Sequence, residues 1–221
     1  TRAAIAVAVL AGYGALSALV AAPDAAGAGP LTFEGNLAGY IDRQFLPGKL
    51  IYGSFDPEGL LSTVPAVVTA MLGMFTGEFV RRGDIRGGRK TLWMAAAAAA
   101  LLAAGLAFSG VLPVNKKLWS STFVCVVGAY SLGMFALFYY LIDVRGWRRW
   151  TLFFRVVGLN SITIYLAQRI VGFGRISDFF LGGIASKCPE AVAAVISSAG
   201  YVAVCWLFLY FLYRKNVFLK V

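Results

Sequence analysis

The sequence predicts an all-α polytopic membrane protein, a helix bundle of about six transmembrane helices, and three observations support this. Of the 221 residues, 60% are hydrophobic and 14% are charged, whereas soluble domains are about 45–50% apolar and about 25% charged. The mean hydropathy of +0.77 excludes a disordered chain. Apolar segments of about 20 residues, the length that crosses about 30 Å of hydrocarbon, recur along the chain.

Six apolar segments define the predicted spans, which together form a single transmembrane domain over residues 1–221. The second segment contains Gly73 and Gly77, a spacing that permits close helix contact within the chain or in a homodimer. The third is the weakest because residues 95–100 are all alanine. We see neither an internal repeat nor a broken helix. The spans cover about residues 3–22, 59–80, 91–111, 118–142, 151–172 and 191–213, and an outer loop covers residues 23–58.

The distribution of basic residues predicts the orientation of these spans. Counted over alternate connections, one side carries 12 Lys and Arg residues and the other carries 6. The positive-inside rule places the richer side, with both chain ends, in the cytoplasm. The net charge of +10 is therefore largely an orientation signal, and we expect a lipid bilayer rather than nucleic acid as partner. The chain has thirteen Arg against seven Lys and is rich in Ala and Gly, a composition typical of a GC-rich bacterium. We therefore expect a bacterial inner membrane.

The absence of histidine limits the chemistry available to this chain. With no His residue, no His-ligated zinc site and no Ser-His or Cys-His dyad can form. Cys125 and Cys205 lie inside spans and Cys188 lies alone in an outer loop, so no disulfide framework or metal-ligand spacing is present. We therefore expect no metal site and assign no catalytic residue within the chain.

The long outer loop holds two carboxylates, Asp56 and Glu58, directly before the second span. One interpretation makes Asp56 the N-cap, Pro57 the first helical residue and Glu58 a partner of the helix dipole. The other is that two carboxylates at a membrane mouth bind or deprotonate a polar substrate. Asp42 and Arg43, earlier in the loop, form either a surface ion pair or part of the same site.

The fifth span is the richest in polar residues. Ser161, Tyr165, Gln168 and Gly172 follow a spacing of i, i+4, i+7 and i+11, which places them on one helical face, and Asn160 precedes them. Polar groups inside a membrane are costly and usually face a partner or a cavity. This face predicts either hydrogen bonds between helices or the wall of a wet passage.

Several motifs occur together in order and resemble those of the heparan-α-glucosaminide N-acetyltransferases and their bacterial inner-membrane relatives. The resemblance implies a protein of about eleven spans, of which this chain matches the C-terminal six. It also implies a catalytic histidine in the N-terminal half, so we expect this chain alone to be inactive and that half to be its partner. The motifs are GYIDR at 39–43, DPEG at 56–59, PVNK at 113–116, LWS at 118–120, GLNSI at 158–162 and LYRK at 212–215.

The resemblance further implies transfer of an acetyl group from cytoplasmic acetyl-CoA to the amine of a terminal glucosamine, or another amino-sugar or glycan acceptor, across the membrane. A membrane O-acyltransferase for a glycan, a transporter-like or flippase-like module and a non-catalytic membrane scaffold remain alternatives. A transporter more often shows repeated halves and broken helices. The candidate residues are Asp42, Arg43, Asp56, Glu58, Asn115 and Lys116 for the sugar, Asn160, Ser161 and Tyr165 for a passage, and Arg214, Lys215 and Lys220 for the CoA phosphates.

Overall fold

A computed structural model describes residues 1–219 of the chain. Within these residues the chain forms nine α-helices and no β-strand, which confirms the predicted all-α class. Contacts group the chain into two compact units, Thr1–Gly146 and the residues from Trp147 onward, called here unit 1 and unit 2. That the chain is a single transmembrane domain stays a prediction.

Unit 1 is built from four long helices that run alternately up and down, with one short helix between the first two. Arg2, at the start of the first helix, donates to both carboxylate oxygens of Glu78 near the end of the third, at 2.8 and 2.9 Å. The chain alternation therefore places the long loop and the short hairpin after α4 at the opposite end of the unit. The helices are α1 (Arg2–Leu19), α2 (Leu37–Phe45), α3 (Leu60–Arg81), α4 (Gly87–Ala107) and α5 (Ser121–Tyr139), which continues as a π-helical turn, Tyr140–Val144.

The core of unit 1 lies where α1, α3 and α5 meet. Ala6, Val68 and Val124, one from each helix, form a buried apolar cluster. Trp119 packs against this cluster and donates its indole N–H to Thr69 at 3.2 Å. The hairpin that precedes α5 is thereby anchored to the core.

Unit 2 contains four helices and a single 3₁₀ turn, Arg149–Thr151, in its described part. A Cβ atom on Gly200 would collide with the Ser177 hydroxyl and the Leu181 side chain, so glycine permits the close approach of the last two helices. Phe153 stacks on Trp206 with ring centroids 5.7 Å apart, which joins the first helix of the unit to the last. The helices are α6 (Leu152–Leu159), α7 (Ser161–Ile170), α8 (Phe173–Ala185) and α9 (Glu190–Arg214).

Five helices in the described residues are long and apolar enough to cross a membrane, namely α1, α3, α4, α5 with its π-helical turn, and α9. A sixth span arises if the bent pair formed by α6 and α7 is counted as one. The most apolar stretches of the five are only 11–22% buried within the chain, so their apolar faces are available to lipid. The prediction of about six membrane helices is confirmed.

The fifth predicted span is not the continuous helix that its composition suggested. It is broken at Asn160, where φ is −130° and ψ is 30°, and α6 and α7 meet there at 61°. Gly158 and Asn160 both have low intrinsic preference for a helix interior. The expectation that no helix is broken was therefore wrong.

Candidate functional site

The long loop and the short hairpin of unit 1 meet around one lysine. The Lys117 ammonium lies 4.3 Å from the centroid of the Tyr52 ring and 5.1 Å from that of Phe33. Phe55 lies beneath both rings, with its centroid 5.2 Å from that of Tyr52 and 5.6 Å from that of Phe33. We call Lys117, Phe33, Tyr52 and Phe55 the Lys117 cluster.

The Lys117 cluster combines an anchored ring with two accessible ones. Phe55 is 1% exposed, whereas Phe33 is 52% and Tyr52 is 47% exposed. Cation–π attraction holds the ammonium over the ring faces, and no carboxylate in residues 1–219 forms an ion pair with it. The cluster can therefore contact the apolar face of a ligand through its rings while Lys117 donates to an oxygen atom or an anionic group.

Asp42 has a structural position beside this cluster. It is completely buried, and its carboxylate accepts hydrogen bonds from the backbone N–H of Leu60 at 3.0 Å and of Asp56 at 3.2 Å. A Cβ atom on Gly59 would collide with this carboxylate. Asp42 thus caps the start of α3 from a distant part of the chain, where the first N–H groups of a helix lack partners.

Arg43 pairs with Asp24 rather than with its neighbour Asp42. Its Nε and Nη2 donate to the two oxygens of Asp24 at 2.9 and 2.7 Å, and its Nη1 donates to the carbonyl of Ser54. The Arg43 guanidinium holds the pKa of the Asp24 carboxyl below its usual value. This two-pronged pair ties α2 to both arms of the long loop.

The carboxylates at the end of the loop differ from the capping arrangement expected of them. The third helix begins at Leu60 with Gly59 as N-cap, so neither Asp56 nor Pro57 has the helical role proposed for it. Asp56 instead accepts from the N–H of Glu58 at 2.9 Å and of Ile51 at 3.3 Å, which closes a turn. Glu58 is exposed, and no described residue forms a hydrogen bond with its side chain.

Asn115 builds the hairpin turn that carries Lys117. Its side-chain oxygen accepts from the N–H of Lys117 at 2.8 Å and of Leu118 at 3.4 Å, and its own N–H donates to Ser120 at 3.0 Å. Such Asx turns fix the local backbone. Asn115 therefore positions Lys117, whereas Lys116 is exposed and its side chain makes no hydrogen bond, ion pair or ring contact in the described chain. The role of Lys116 in binding stays a prediction.

Asn160 stands at the break between α6 and α7 and is only 1% exposed. Its side-chain oxygen accepts from the Thr163 hydroxyl at 3.2 Å, but its Nδ2 donor has no partner among the described residues. Ser161 and Tyr165 are exposed on the surface of unit 2. Their proposed place in a passage is not tested by these contacts.

The basic candidates at the end of the chain are only partly described. Arg214 and Lys215 are exposed where α9 ends, and Arg214 donates to the Tyr210 hydroxyl at 3.4 Å. Lys220 lies outside the described residues.

The sequence analysis selected Lys116 rather than its neighbour Lys117, and it did not connect either residue with Tyr52. The available signal was a long loop rich in aromatic residues beside a hairpin with two adjacent lysines. Contacts between residues separated by 65 positions in the chain have no periodic signature, so only the folded loop identifies the cluster.

Comparison with known proteins supports a relative of one enzyme family. No protein-family model matches the chain. The sequence is 29% identical over 208 residues to heparan-alpha-glucosaminide N-acetyltransferase of Homo sapiens and 27% identical over 205 residues to that of Mus musculus. Each match covers 85% of this chain but only 30% of the relative, so the chain spans less than a third of their length. The resemblance seen in the motifs is thereby confirmed, and the apolar helices agree with an integral membrane protein.

Proposed function

We propose that this chain is part of an integral-membrane acetyltransferase that transfers an acetyl group from acetyl-CoA to the amine of a terminal glucosamine or a related amino sugar. The observation that carries the proposal is the similarity to two N-acetyltransferases over 85% of the chain. The Lys117 cluster supports it independently, because exposed rings beside a lysine suit a sugar.

The acceptor sugar would bind at the Lys117 cluster. One face of a pyranose ring is apolar and would lie against the exposed rings of Tyr52 and Phe33, while the ammonium would donate to a hydroxyl or an anionic substituent. Ligand sites usually combine aromatic side chains with a few placed polar groups in this way. Asp42, Arg43, Asp56 and Asn115 would hold the backbone around the cluster, and exposed Glu58 and Lys116 would lie at its rim.

The family resemblance implies that the reaction uses a histidine, which these 221 residues do not contain. The amine nitrogen forms a bond to the acetyl carbonyl carbon, the C–S bond breaks, and the proton of the amine ends on the sulfur of CoA. A general base must remove that proton, and donors must stabilise the developing oxyanion. Since the chain has no histidine, the proposal assigns a histidine base to a region outside this sequence.

The donor would approach from the other side of the bilayer. Asn160, Ser161 and Tyr165 would line a passage for the pantetheine arm, and Arg214, Lys215 and Lys220 would contact the CoA phosphates. The basic chain ends would then lie in the cytoplasm, as the charge distribution predicts, and the membrane would be a bacterial inner membrane.

The test uses the membrane protein that contains this sequence, with labelled acetyl-CoA and glucosamine. We expect N-acetylglucosamine to form, and Lys117→Ala to raise the KM for the sugar about tenfold, equivalent to about 1.4 kcal/mol, without changing that for acetyl-CoA. The matched control is Lys49→Ala, which removes an exposed lysine of the same end of unit 1 and should leave both KM values unchanged. An unaltered sugar KM in Lys117→Ala would contradict the acceptor site.

One observation favours a second candidate function. The span broken at Asn160 is a feature of many transporters, whose half-helix ends bind substrate near the bilayer midplane. Sugar that crosses a sealed membrane unmodified, with no acetylated product, would support a transporter and contradict the acetyltransferase. Acetylation of a hydroxyl rather than an amine would instead indicate a glycan O-acyltransferase.

A further inference from the structure

Unit 2 contains a pocket that no sequence argument identified. It has a volume of about 640 Å³, within the range of about 300–1,000 Å³ that small-molecule sites occupy. It lies between α6 and the C-terminal end of α9. Its walls include Arg155 and Gly158 from α6, Tyr213 and Arg214 from α9, and Asn216 just beyond.

The described side chains that line this pocket carry positive charge and no negative charge. Both Arg155 and Arg214 line it, and neither forms an ion pair in the described chain. The only acidic residues of the described part of unit 2 are Asp178 and Glu190, and neither belongs to the pocket wall. Glu190 stands at the opposite end of α9, about 36 Å away from Arg214 by helical rise. Among the described residues, the two guanidinium groups therefore have no counter-ion, and they suit an anion.

Aromatic rings continue from the pocket along α9. Tyr213 and Tyr210 have centroids 6.4 Å apart with planes at 22°, and Tyr210 stacks on Trp206 at 4.9 Å and 11°. The Arg155 guanidinium lies 5.4 Å from the centroid of the Tyr213 ring. Spacings of i, i+4 and i+7 place the three rings on one face of the helix. A planar ring bound beside the arginines would thus meet a surface already made of near-parallel rings.

From this geometry we infer that the pocket binds an organic phosphate of the nucleoside bisphosphate class. Arg155 and Arg214 bind the phosphate oxygens, because guanidinium groups remain charged and pair with phosphate through two parallel hydrogen bonds. Tyr213 contacts the base. The inference rests on the proposed function, since it assigns the nucleotide end of the acyl donor to this pocket and adds Arg155 to its site.

A phosphate ester is also present in lipid head groups, and Trp and Tyr residues gather at membrane interfaces. The base distinguishes the two sources, because a lipid phosphate has no planar ring for Tyr213. A nucleotide should therefore lose affinity when Tyr213 is changed to leucine, whereas a lipid head group should not.

The experiment measures binding of adenosine 3′,5′-bisphosphate to the full membrane protein in nanodiscs of phosphatidylcholine. We expect Arg155→Gln to weaken binding at least about tenfold, since one good charge-assisted contact is lost, and Arg155→Lys to weaken it less. Arg175→Gln, an exposed arginine of the same unit outside the pocket, should bind as the parent does. Unchanged unfolding temperatures exclude a folding defect as the cause of weaker binding.

Two outcomes would overturn the inference. The first is binding of the bisphosphate that is equal in Arg155→Gln and the parent. The second is no binding of the bisphosphate, together with Arg155-dependent retention of phosphatidylglycerol in mixed nanodiscs, which would assign the pocket to lipid.

An assay of acetyl transfer tests this inference and the proposed function separately. Bisphosphate binding that depends on Arg155, without any acetylated product, would support the pocket as a nucleotide site and contradict the acetyltransferase function. Acetylation with the same KM for acetyl-CoA in Arg155→Gln and in the parent would support the function and contradict nucleotide binding in the pocket. If both hold, Arg155→Gln raises that KM about tenfold and leaves the KM for the sugar unchanged.

Discussion

The buried polar side chains at the starts of α3 and α7 differ in their hydrogen bonding. At the start of α3, the buried carboxylate of Asp42 accepts hydrogen bonds from the N–H groups of Leu60 and Asp56. At the start of α7, Asn160 is equally buried, yet its Nδ2 donor has no partner among the described residues. Both residues occur in motifs of the same family resemblance, so sequence alone ranks them as equal candidates.

This difference gives Asp42 a structural role and leaves Asn160 without one. A buried polar group costs about 1–3 kcal/mol when it lacks a hydrogen bond, so a donor without a protein partner needs another explanation, such as a bound ligand or water. Asp42 is explained by the helix that it caps. Asn160 is not explained by the described contacts, which makes it the better candidate for a part in binding or transfer.

The largest expected effect is on stability at the start of α3. Asp42→Ala leaves two backbone N–H groups without their acceptor, and we expect a loss of about 3 kcal/mol in the free energy of unfolding. Chemical unfolding of the protein in detergent micelles measures this loss. Glu58→Ala removes an exposed carboxylate of the same segment and should cost less than about 0.5 kcal/mol. Equal losses in the two variants would remove the distinction between them.

A smaller effect on stability is expected at the start of α7. Asn160→Ala removes an unpaired donor along with one hydrogen bond from Thr163, so these terms oppose each other and the net loss should be below about 1 kcal/mol. Acetyl transfer, in contrast, should fall at least about tenfold if a ligand uses the free donor. Thr163→Val removes the same hydrogen bond but keeps the donor, and should retain activity. A stability loss as large as that of Asp42→Ala would show that Asn160 is also a structural cap.

The smallest effect concerns the ion pair that supports the helix carrying Asp42. The folded-state pKa of Asp24 is lowered by Arg43, so the pair stabilises the fold fully above the unfolded pKa of about 3.9 and its contribution is lost as pH falls through the lowered folded value. The unfolding temperature of Asp24→Asn should lie slightly below that of the parent at pH 6, and the two should converge under acid conditions. A difference that persists unchanged at low pH would exclude the pair as its cause.

Much of the helical layout follows from composition. The predicted second and sixth spans, at about 59–80 and 191–213, correspond to α3 at Leu60–Arg81 and α9 at Glu190–Arg214. The agreement is within about one residue because the thickness of a bilayer demands an apolar run of fixed length, and charged residues bound each run. The short helices α2 and α8 lacked this signal, being 9 and 13 residues long.

The candidate site was less accessible to such reasoning. Several motif residues lie at the end of unit 1 that carries the Lys117 cluster. The sequence offered Asp56 as the N-cap, whereas Asp42 accepts the N–H of Leu60, and it selected Lys116, whereas Lys117 contacts the rings. Each choice depends on which distant segment lies within about 3 Å of a given polar group. Hydropathy and spacing do not contain that information.

The 221 residues thus specify a membrane protein, its apolar helices and a family relationship, since these depend on local composition and on residue order. The cap on α3, the break at Asn160, the Lys117 cluster and the pair of arginines beside Tyr213 arise only when remote segments meet. Arg155 and Tyr213 are 58 positions apart and lie on different helices, yet they line one pocket. Such pairings depend on helix packing, where a rotation of one helix moves every side chain on its surface.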